Sequence, residues 1–192
     1  MNSKTNKQAL LDQLYAPYQN CLACPLGKQG RTRIVFGDGD PDSAIFFIGE
    51  APGAQEDRNG IPFVGKAGKL LNKALNHVNL KRENVFISNI VKCRPPKNRK
   101  PLPLEIKTCK SLILMKQIRI VNPKIIFVLG ATALEGLIEK KIKISHQRGK
   151  SIDFNGIIVV PTYHPSYIAR NPKLFEVFTE DLRLAIKKSQ DL

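Results

Sequence analysis

The chain reads as an α/β protein: a central four-stranded, mainly parallel sheet flanked by helices on both faces. Three observations predict this. Four short apolar runs are continuous rather than alternating, as expected of strands covered on both sides. Segments of helical periodicity lie between them, and that alternation builds parallel sheets with crossover helices. The end of each run carries glycine or polar residues, and ligands bind beyond strand carboxyl ends in open parallel sheets.

Taken in order, residues 5–18 form an early helix, within a helical N-terminal segment of residues 1–20. The first strand is Ala44-Ile45-Phe46-Phe47-Ile48, running into Gly49-Glu50-Ala51-Pro52-Gly53. Ala67, Leu70, Leu71, Ala74, Leu75 and Val78 then fall on one helical stripe. Val85-Phe86-Ile87-Ser88-Asn89-Ile90 is the second strand. After Pro103, a residue suited to a first helical turn, Ile106, Cys109, Leu112, Ile113 and Ile120 recur at helical spacing. Ile125-Ile126-Phe127-Val128-Leu129 is the third strand, and Gly130-Ala131 opens a short helix. Ile157-Ile158-Val159-Val160 is the fourth, leading to Thr162-Tyr163-His164-Pro165-Ser166. A last helix covers residues 175–187. No internal repeat or low-complexity tract interrupts this order.

At 192 residues with 42% hydrophobic content, the chain makes one domain with a proper core, spanning 1–192. The polar N-terminus carries no apolar signal core, and no apolar run approaches the ~20 residues of a membrane span. A soluble, cytoplasmic monomer with reduced cysteines is expected, with no membrane partner. Lys and Arg number 31 against 16 Asp and Glu, a net +15. An excess on this scale favours a polyanionic partner, because each phosphate neutralised releases a counterion. A basic membrane-surface helix is disfavoured, since no long Lys/Arg-rich amphipathic segment carries bulky apolar residues. Nucleic acid is the better partner.

Four cysteines, Cys21, Cys24, Cys93 and Cys109, are the chain's whole complement. Cys21 and Cys24 form C-x-x-C in a loop-like stretch before Pro25, where nothing demands two small apolar side chains. Cys93 lies in the loop Lys92-Cys93-Arg94-Pro95-Pro96-Lys97-Asn98-Arg99-Lys100, and Cys109 on the helix that follows. A thiolate quartet in a reduced compartment holds zinc or an iron–sulfur cluster, and counting thiols does not separate the two. The widely split pairs resemble neither a zinc ribbon nor a zinc knuckle, which mildly favours the cluster. Cys109 has a plainer reading as well, since it falls on an apolar stripe and free cysteine packs well in cores.

The strand ends carry the remaining candidates. Gly49-Glu50-Ala51-Pro52-Gly53 is a tight loop whose bare amides can cradle an anion or a carbonyl, or an ordinary strand-to-helix turn. It is neither a Walker loop nor a dinucleotide fingerprint. Phe63 either plugs the core or offers a stacking surface for a base. Asn89 either caps a turn or reads a pyrimidine edge with one donor and one acceptor. His164 follows a buried strand, whereas His77 and His146 lie on surface stretches. A histidine, an amide and a glycine loop at one rim shift the balance toward function.

Together, Gly49-Glu50-Ala51-Pro52-Gly53, Gly60-Ile61-Pro62-Phe63-Val64-Gly65-Lys66-Ala67-Gly68, Asn89-Ile90-Val91-Lys92-Cys93-Arg94-Pro95-Pro96 and His164-Pro165-Ser166-Tyr167 resemble the family-four uracil-DNA glycosylases. These are the iron–sulfur members of the uracil-DNA glycosylase superfamily. The likeness runs from about Cys21 to the C-terminal helix, with every block in order.

That resemblance implies a monofunctional base-excision-repair glycosylase that hydrolyses the N-glycosidic bond of deoxyuridine in single- or double-stranded DNA and leaves an abasic site. It implies a structural [4Fe-4S] cluster on Cys21, Cys24, Cys93 and Cys109, with zinc as the alternative metal. The uracil is flipped into the rim pocket, because its bond is out of reach inside the stack. Phe63 would stack on the base, Asn89 would bond its edge, and His164 would donate toward O2 as charge develops there. Backbone amides of Glu50, Ala51 and Gly53 would line the pocket, and Glu56 would exclude a methyl at C5. Ile168 would be a wedge in the minor groove. Ser166 and Arg170 would contact phosphates, and Lys92, Arg94, Lys97, Arg99 and Lys100 would form a backbone-binding patch.

Two departures from other branches of the superfamily bear on mechanism. Where the best-studied branch has a water-orienting aspartate, this chain has Ala51, as the family-four pattern does. Another branch traps its product through a histidine in the loop after the asparagine. Residues 94–100 contain none, so covalent trapping is not expected. Two other classes share many of these residues: a catalytically inert DNA-binding protein with a structural metal, and a zinc-bearing hydrolase of small nucleotides. Release of uracil from DNA, with no action on free dUMP or dUTP, separates the three.

Overall fold

The computed structural model describes residues 3–192. Helix α1 (Ser3–Tyr15) leads through a 3₁₀ turn to the first cysteines. Strands β1 (Asp38–Gly39) and β2 (Ile45–Gly49) follow, then helices α2 (Ala54–Asn59) and α3 (Lys66–His77), and strand β3 (Phe86–Asn89). Helix α4 (Pro103–Cys109) widens into one π turn (Lys110–Leu114) and continues as α5 (Met115–Val121). Strand β4 (Ile125–Leu129), helices α6 (Ala131–Ile138) and α7 (Ile144–Gln147), and strands β5 (Ile152–Phe154) and β6 (Ile157–Thr162) come next. The chain closes with α8 (Pro165–Arg170) and α9 (Phe175–Asp191). Among the described residues no helix is long and apolar enough to cross a membrane.

The sheet order is β1-β3-β2-β4-β6-β5. The four expected strands are its parallel centre, β3-β2-β4-β6. The expectation of four is extended by two short antiparallel edges, β1 on β3 and β5 on β6. Strand β2 has β3 on one side and β4 on the other, so the chain leaves it first one way and then crosses to the opposite side. That reversal opens a crevice at the carboxyl ends of the strands.

Side chains along each central strand alternate between two cores, following the period of two. Phe46, Ile48, Ile126, Val128 and Val159 face Leu11 of α1, Leu114, Ile118 and Val121 of the long central helix, and Leu134 and Leu137 of α6. Ile45, Phe47, Phe127, Leu129 and Val160 face Leu71 and Leu75 of α3, and Phe178 and Leu182 of α9. Phe127 is fully buried, with the Phe47 ring 5.2 Å away and that of Phe178 at 6.2 Å. Each such side chain contributes about 1.5–3 kcal/mol by leaving water. The result is a rigid double-sided platform, whose strand ends hold polar side chains still.

Candidate active site

At the carboxyl edge of the sheet lies a cleft of about 720 Å³. Asn89, the last residue of β3, forms part of its wall, with Phe63 from the loop before α3 and His164 from the end of β6. Glu50, Ala51, Gly53 and Glu56 line it from the β2–α2 connection. All the residues expected to bind the base therefore meet in one cavity, although they are scattered over more than a hundred positions of sequence.

Asn89 is 1% exposed, and its Oδ1 is buried with no hydrogen-bond partner. An unpaired buried acceptor costs the protein about 1–3 kcal/mol, so it is retained where a ligand completes it. Gly49 is what permits this placement. A Cβ there would lie 2.5 Å from Asn89 Oδ1 and 2.4 Å from Phe63 Cζ. The absent side chain lets the amide and the aromatic ring close over the strand end.

Phe63 has φ +53°, a left-handed conformation that is uncommon for an aromatic residue. Two features hold it there. Arg82 donates to the carbonyls of Pro62 at 2.6 Å and Phe63 at 3.2 Å. Gly68 lies so close that a Cβ on it would fall 1.8 Å from the Phe63 carbonyl oxygen. The ring is 5% exposed, and its centroid is 5.9 Å from that of His164.

His164 caps α8. Its Nδ1 accepts the backbone N–H of Ser166 at 3.1 Å and sits 2.8 Å from the Ser166 hydroxyl, while Pro165 occupies the first helical position. A nitrogen that accepts an N–H bond carries no proton, so the neutral ring bears its proton on Nε2. Burial drives the imidazole down to about 4, helped by the Arg170 charge and opposed by Glu56. The ring is thus a neutral donor at physiological pH. Ser166 was expected at a phosphate, and the structure places its hydroxyl on the imidazole.

Glu56 is 8% exposed and its carboxylate binds the loops together. It accepts from Gly53 N at 3.1 Å, Val64 N at 2.9 Å and Gly65 N at 2.7 Å. The neighbouring Asp57 accepts from Thr32 N at 2.9 Å and so fastens the segment after the C-x-x-C to α2. Glu56 reaches the cleft while bracing it, a role no local sequence pattern signals.

Several expectations about the DNA-facing residues are corrected. Ile168 is 0% exposed and packs in the core beneath α3 and α9, so it is no wedge. Tyr167, 41% exposed at the cleft mouth, is the apolar group that α8 presents outward. Lys92 is 0% exposed and stands outside any surface patch. Arg99 forms a two-pronged ion pair with the buried Glu105, at 2.7 and 2.9 Å, which holds that carboxyl below its usual range. Lys100 pairs with Glu135 at 3.2 Å. Of the loop cations, Arg94 is held by Asn98 Oδ1 at 2.8 Å, and Lys97 lies in a left-handed turn with φ +51°. Arg170, expected at a phosphate, lines the cleft, joined by Lys66 and Asn98, which sequence reasoning passed over.

The four cysteines line a second, much smaller pocket, with Ala23, Ile34, Leu112 and Ile113 as its apolar walls. Burial pushes the Cys93 thiol up to about 12 and Cys109 up to about 11, with neighbouring thiols among the causes. Cys24 is raised too, again mainly by burial. Lys92 also lines this pocket, and burial draws its ammonium down to about 7 against the opposing pull of the Cys109 and Cys93 sulfurs. Among the described residues, no group of three or more His, Cys, Asp or Glu is set to hold a metal ion.

Comparison with known proteins gives the same family from several directions. The model of the uracil DNA glycosylase superfamily matches residues 36–183, which takes in every residue named above as lining the cleft. The Type-4 uracil-DNA glycosylase of Thermotoga maritima is 44% identical over 183 residues, covering 93% of this chain and 94% of that protein. Its counterpart from Archaeoglobus fulgidus is 36% identical over 181 residues, 90% of each chain. A Type-5 uracil-DNA glycosylase from Thermus thermophilus matches less, at 33% over 120 residues, 55% of this chain and 54% of its own. The chain belongs to the uracil DNA glycosylase superfamily, and within it to the type-4 enzymes.

Proposed function

We infer that this protein is a monofunctional uracil-DNA glycosylase, which hydrolyses the bond between uracil N1 and deoxyribose C1′ and leaves an abasic site. The observation that carries the site assignment is the partnerless Oδ1 of Asn89, set in a cleft wall beside an aromatic ring and a neutral imidazole. An acceptor in that place suits the N3–H of uracil, and the adjacent amide donor suits O4. Phe63 supplies the stacking face. Stacking of a base on an aromatic side chain is worth about 1–3 kcal/mol.

As the C1′–N1 bond breaks, its electron pair moves into the pyrimidine, chiefly onto N1 and O2. The Nε2–H of His164 donates to O2, and the gain is larger in the transition state than in the ground state because the negative charge is then greater. Water adds to the sugar cation at C1′ and gives up a proton. The uracil anion takes up a proton after it leaves. Ala51 offers no carboxylate to balance the sugar, so stabilisation of the departing base carries more of the barrier. The carboxylate of Glu56, fixed by three backbone N–H groups, supplies a wall against a C5 methyl.

Cys21, Cys24, Cys93 and Cys109 are the residues that would hold a [4Fe-4S] cluster. Four cysteines sharing one small, largely apolar pocket fit a cationic metal centre, which takes them as thiolates. A single zinc ion needs its sulfurs about 4 Å apart, given Zn–S near 2.3 Å. Bound there, the cluster supplies a cross-link between the N-terminal segment, the loop after β3 and the end of α4. Uracil-containing DNA is the partner, in keeping with a net charge of +15.

The test is release of free uracil from a single-uracil oligonucleotide, with free dUMP as control. Asn89→Ala is expected to slow release at least ~100-fold while keeping the native iron content. A pure, folded, iron-bearing protein that binds the oligonucleotide and frees no uracil would sink the assignment.

A further inference from the structure

Behind the base-reading wall lies a side chain that the cleft does not use. Lys92 is fully buried, three residues beyond the end of β3. Its ammonium donates to Ser88 Oγ at 2.6 Å and to the main-chain carbonyl of Asn89 at 2.7 Å. Both acceptors are neutral, and no carboxylate pairs with it among the described residues. A buried cation is costly without an opposite charge nearby. Lys92 is also a wall of the cysteine pocket.

Asn89 is thereby engaged from two sides. Its carbonyl is tied to Lys92, while its carboxamide oxygen stands open for a ligand. Ser88, the other anchor, donates in turn to the Phe36 carbonyl at 2.7 Å, so the ammonium sits in a fixed polar cage. We propose that Lys92 is a positioning residue linking the two pockets: a wall of the cysteine pocket, it bonds Ser88 Oγ and the Asn89 carbonyl, fixes the backbone of Asn89 and so aims the carboxamide at the base. The proposal rests on the base-binding reading of Asn89 for its effect on excision, and on the bonds at Ser88 and Asn89 for the rest.

A double-mutant cycle tests it. Lys92→Met keeps most of the stem and removes the ammonium, and Asn89→Ala removes the reading group. Wild type, both single variants and the double variant are compared in single turnover on a uracil oligonucleotide, with iron content and visible absorption measured on each sample. Lys92→Met is expected to slow excision about ten- to a hundredfold per iron-bearing molecule, the range for a lost charge-assisted hydrogen bond. Affinity for an oligonucleotide without uracil should stay within about twofold, because no DNA contact is removed. In the Asn89→Ala background the same change should alter the rate less than about threefold, since groups acting as a unit are not additive.

A native rate in Lys92→Met, or losses that multiply in the double variant, overturn the proposal. Should Lys92→Met fail to fold, Ser88→Ala keeps the lysine and removes one anchor. Its expected loss is about three- to tenfold, again absent in the Asn89→Ala background, and a native rate overturns the idea equally. Wild type free of iron would remove the cluster reading while leaving the Lys92–Asn89 coupling to be decided by the cycle.

Discussion

Lowering the pH is the cleanest perturbation of His164, the donor proposed for the departing base. The Nδ1 of His164 accepts from Ser166 N, and burial with the Arg170 charge holds the ring down to about 4. Protonation would place two N–H groups against each other and break the cap of α8. Near pH 5.5, a ring with that value is about 97% neutral, whereas an ordinary histidine at ~6.5 would be about 9% neutral. The two cases differ about tenfold in rate if the neutral form is the active one. Single-turnover excision at saturating enzyme removes the pH dependence of DNA binding from the measurement. The rate should be flat from neutrality to about pH 5 and fall through about 4. Stability moves the same way: the unfolded chain takes up this proton first, so the imidazole's contribution is intact above ~6.5 and declines as pH drops toward ~4. An acid limb centred near 6.5, with the fold intact, would refute the neutral, capped imidazole.

Two further outcomes follow from the packing. Gly49→Ala puts a methyl 2.4 Å from Phe63 Cζ and 2.5 Å from Asn89 Oδ1, so excision should fall at least ~100-fold in the single-turnover assay, with iron content unchanged. A loss under about tenfold would mean that the ring and amide need not close over the strand. Ile168→Ala should cost about 2–5 kcal/mol and lower Tm by about 5–15 °C by calorimetry. Tyr167→Ala should leave Tm within about 2 °C and weaken duplex affinity about tenfold by titration, and the reverse pattern would restore Ile168 as the wedge.

The sheet was legible because its four central strands are covered on both faces, which writes them as unbroken apolar runs. Strands β1 and β5 were not, since two- and three-residue edges leave no run to read. The residues proposed to bind the base were picked out by their positions after those runs, and they share one cleft. Misreadings arose where a side chain's direction mattered more than its place in a motif. Ile168 follows Pro165 by three, and residues three apart share a helix face. Pro165 and Ile168 are both buried, so that face is the inward one, and Tyr167 is left to the solvent. Arg99 and Lys92 counted as surface cations because basic residues usually are. Neither the partnering of Arg99 with Glu105 nor the enclosure of Lys92 is written in local spacing.

His164-Pro165-Ser166 shows how little sequence the proposed donor requires when the backbone does the aiming. Proline at the first helical position fixes the start of α8, and the second residue then points its N–H back at the preceding side chain. With an imidazole as that side chain, the bond that caps the helix also fixes the tautomer and leaves the proton on Nε2. Had the cap been serine or aspartate, the helix would start equally well, with no N–H to offer the departing base. The choice of histidine therefore keeps the cap. What it adds, on the proposed reading, is a donor held before substrate arrives, which is the condition under which such a group lowers a barrier rather than merely binding the base.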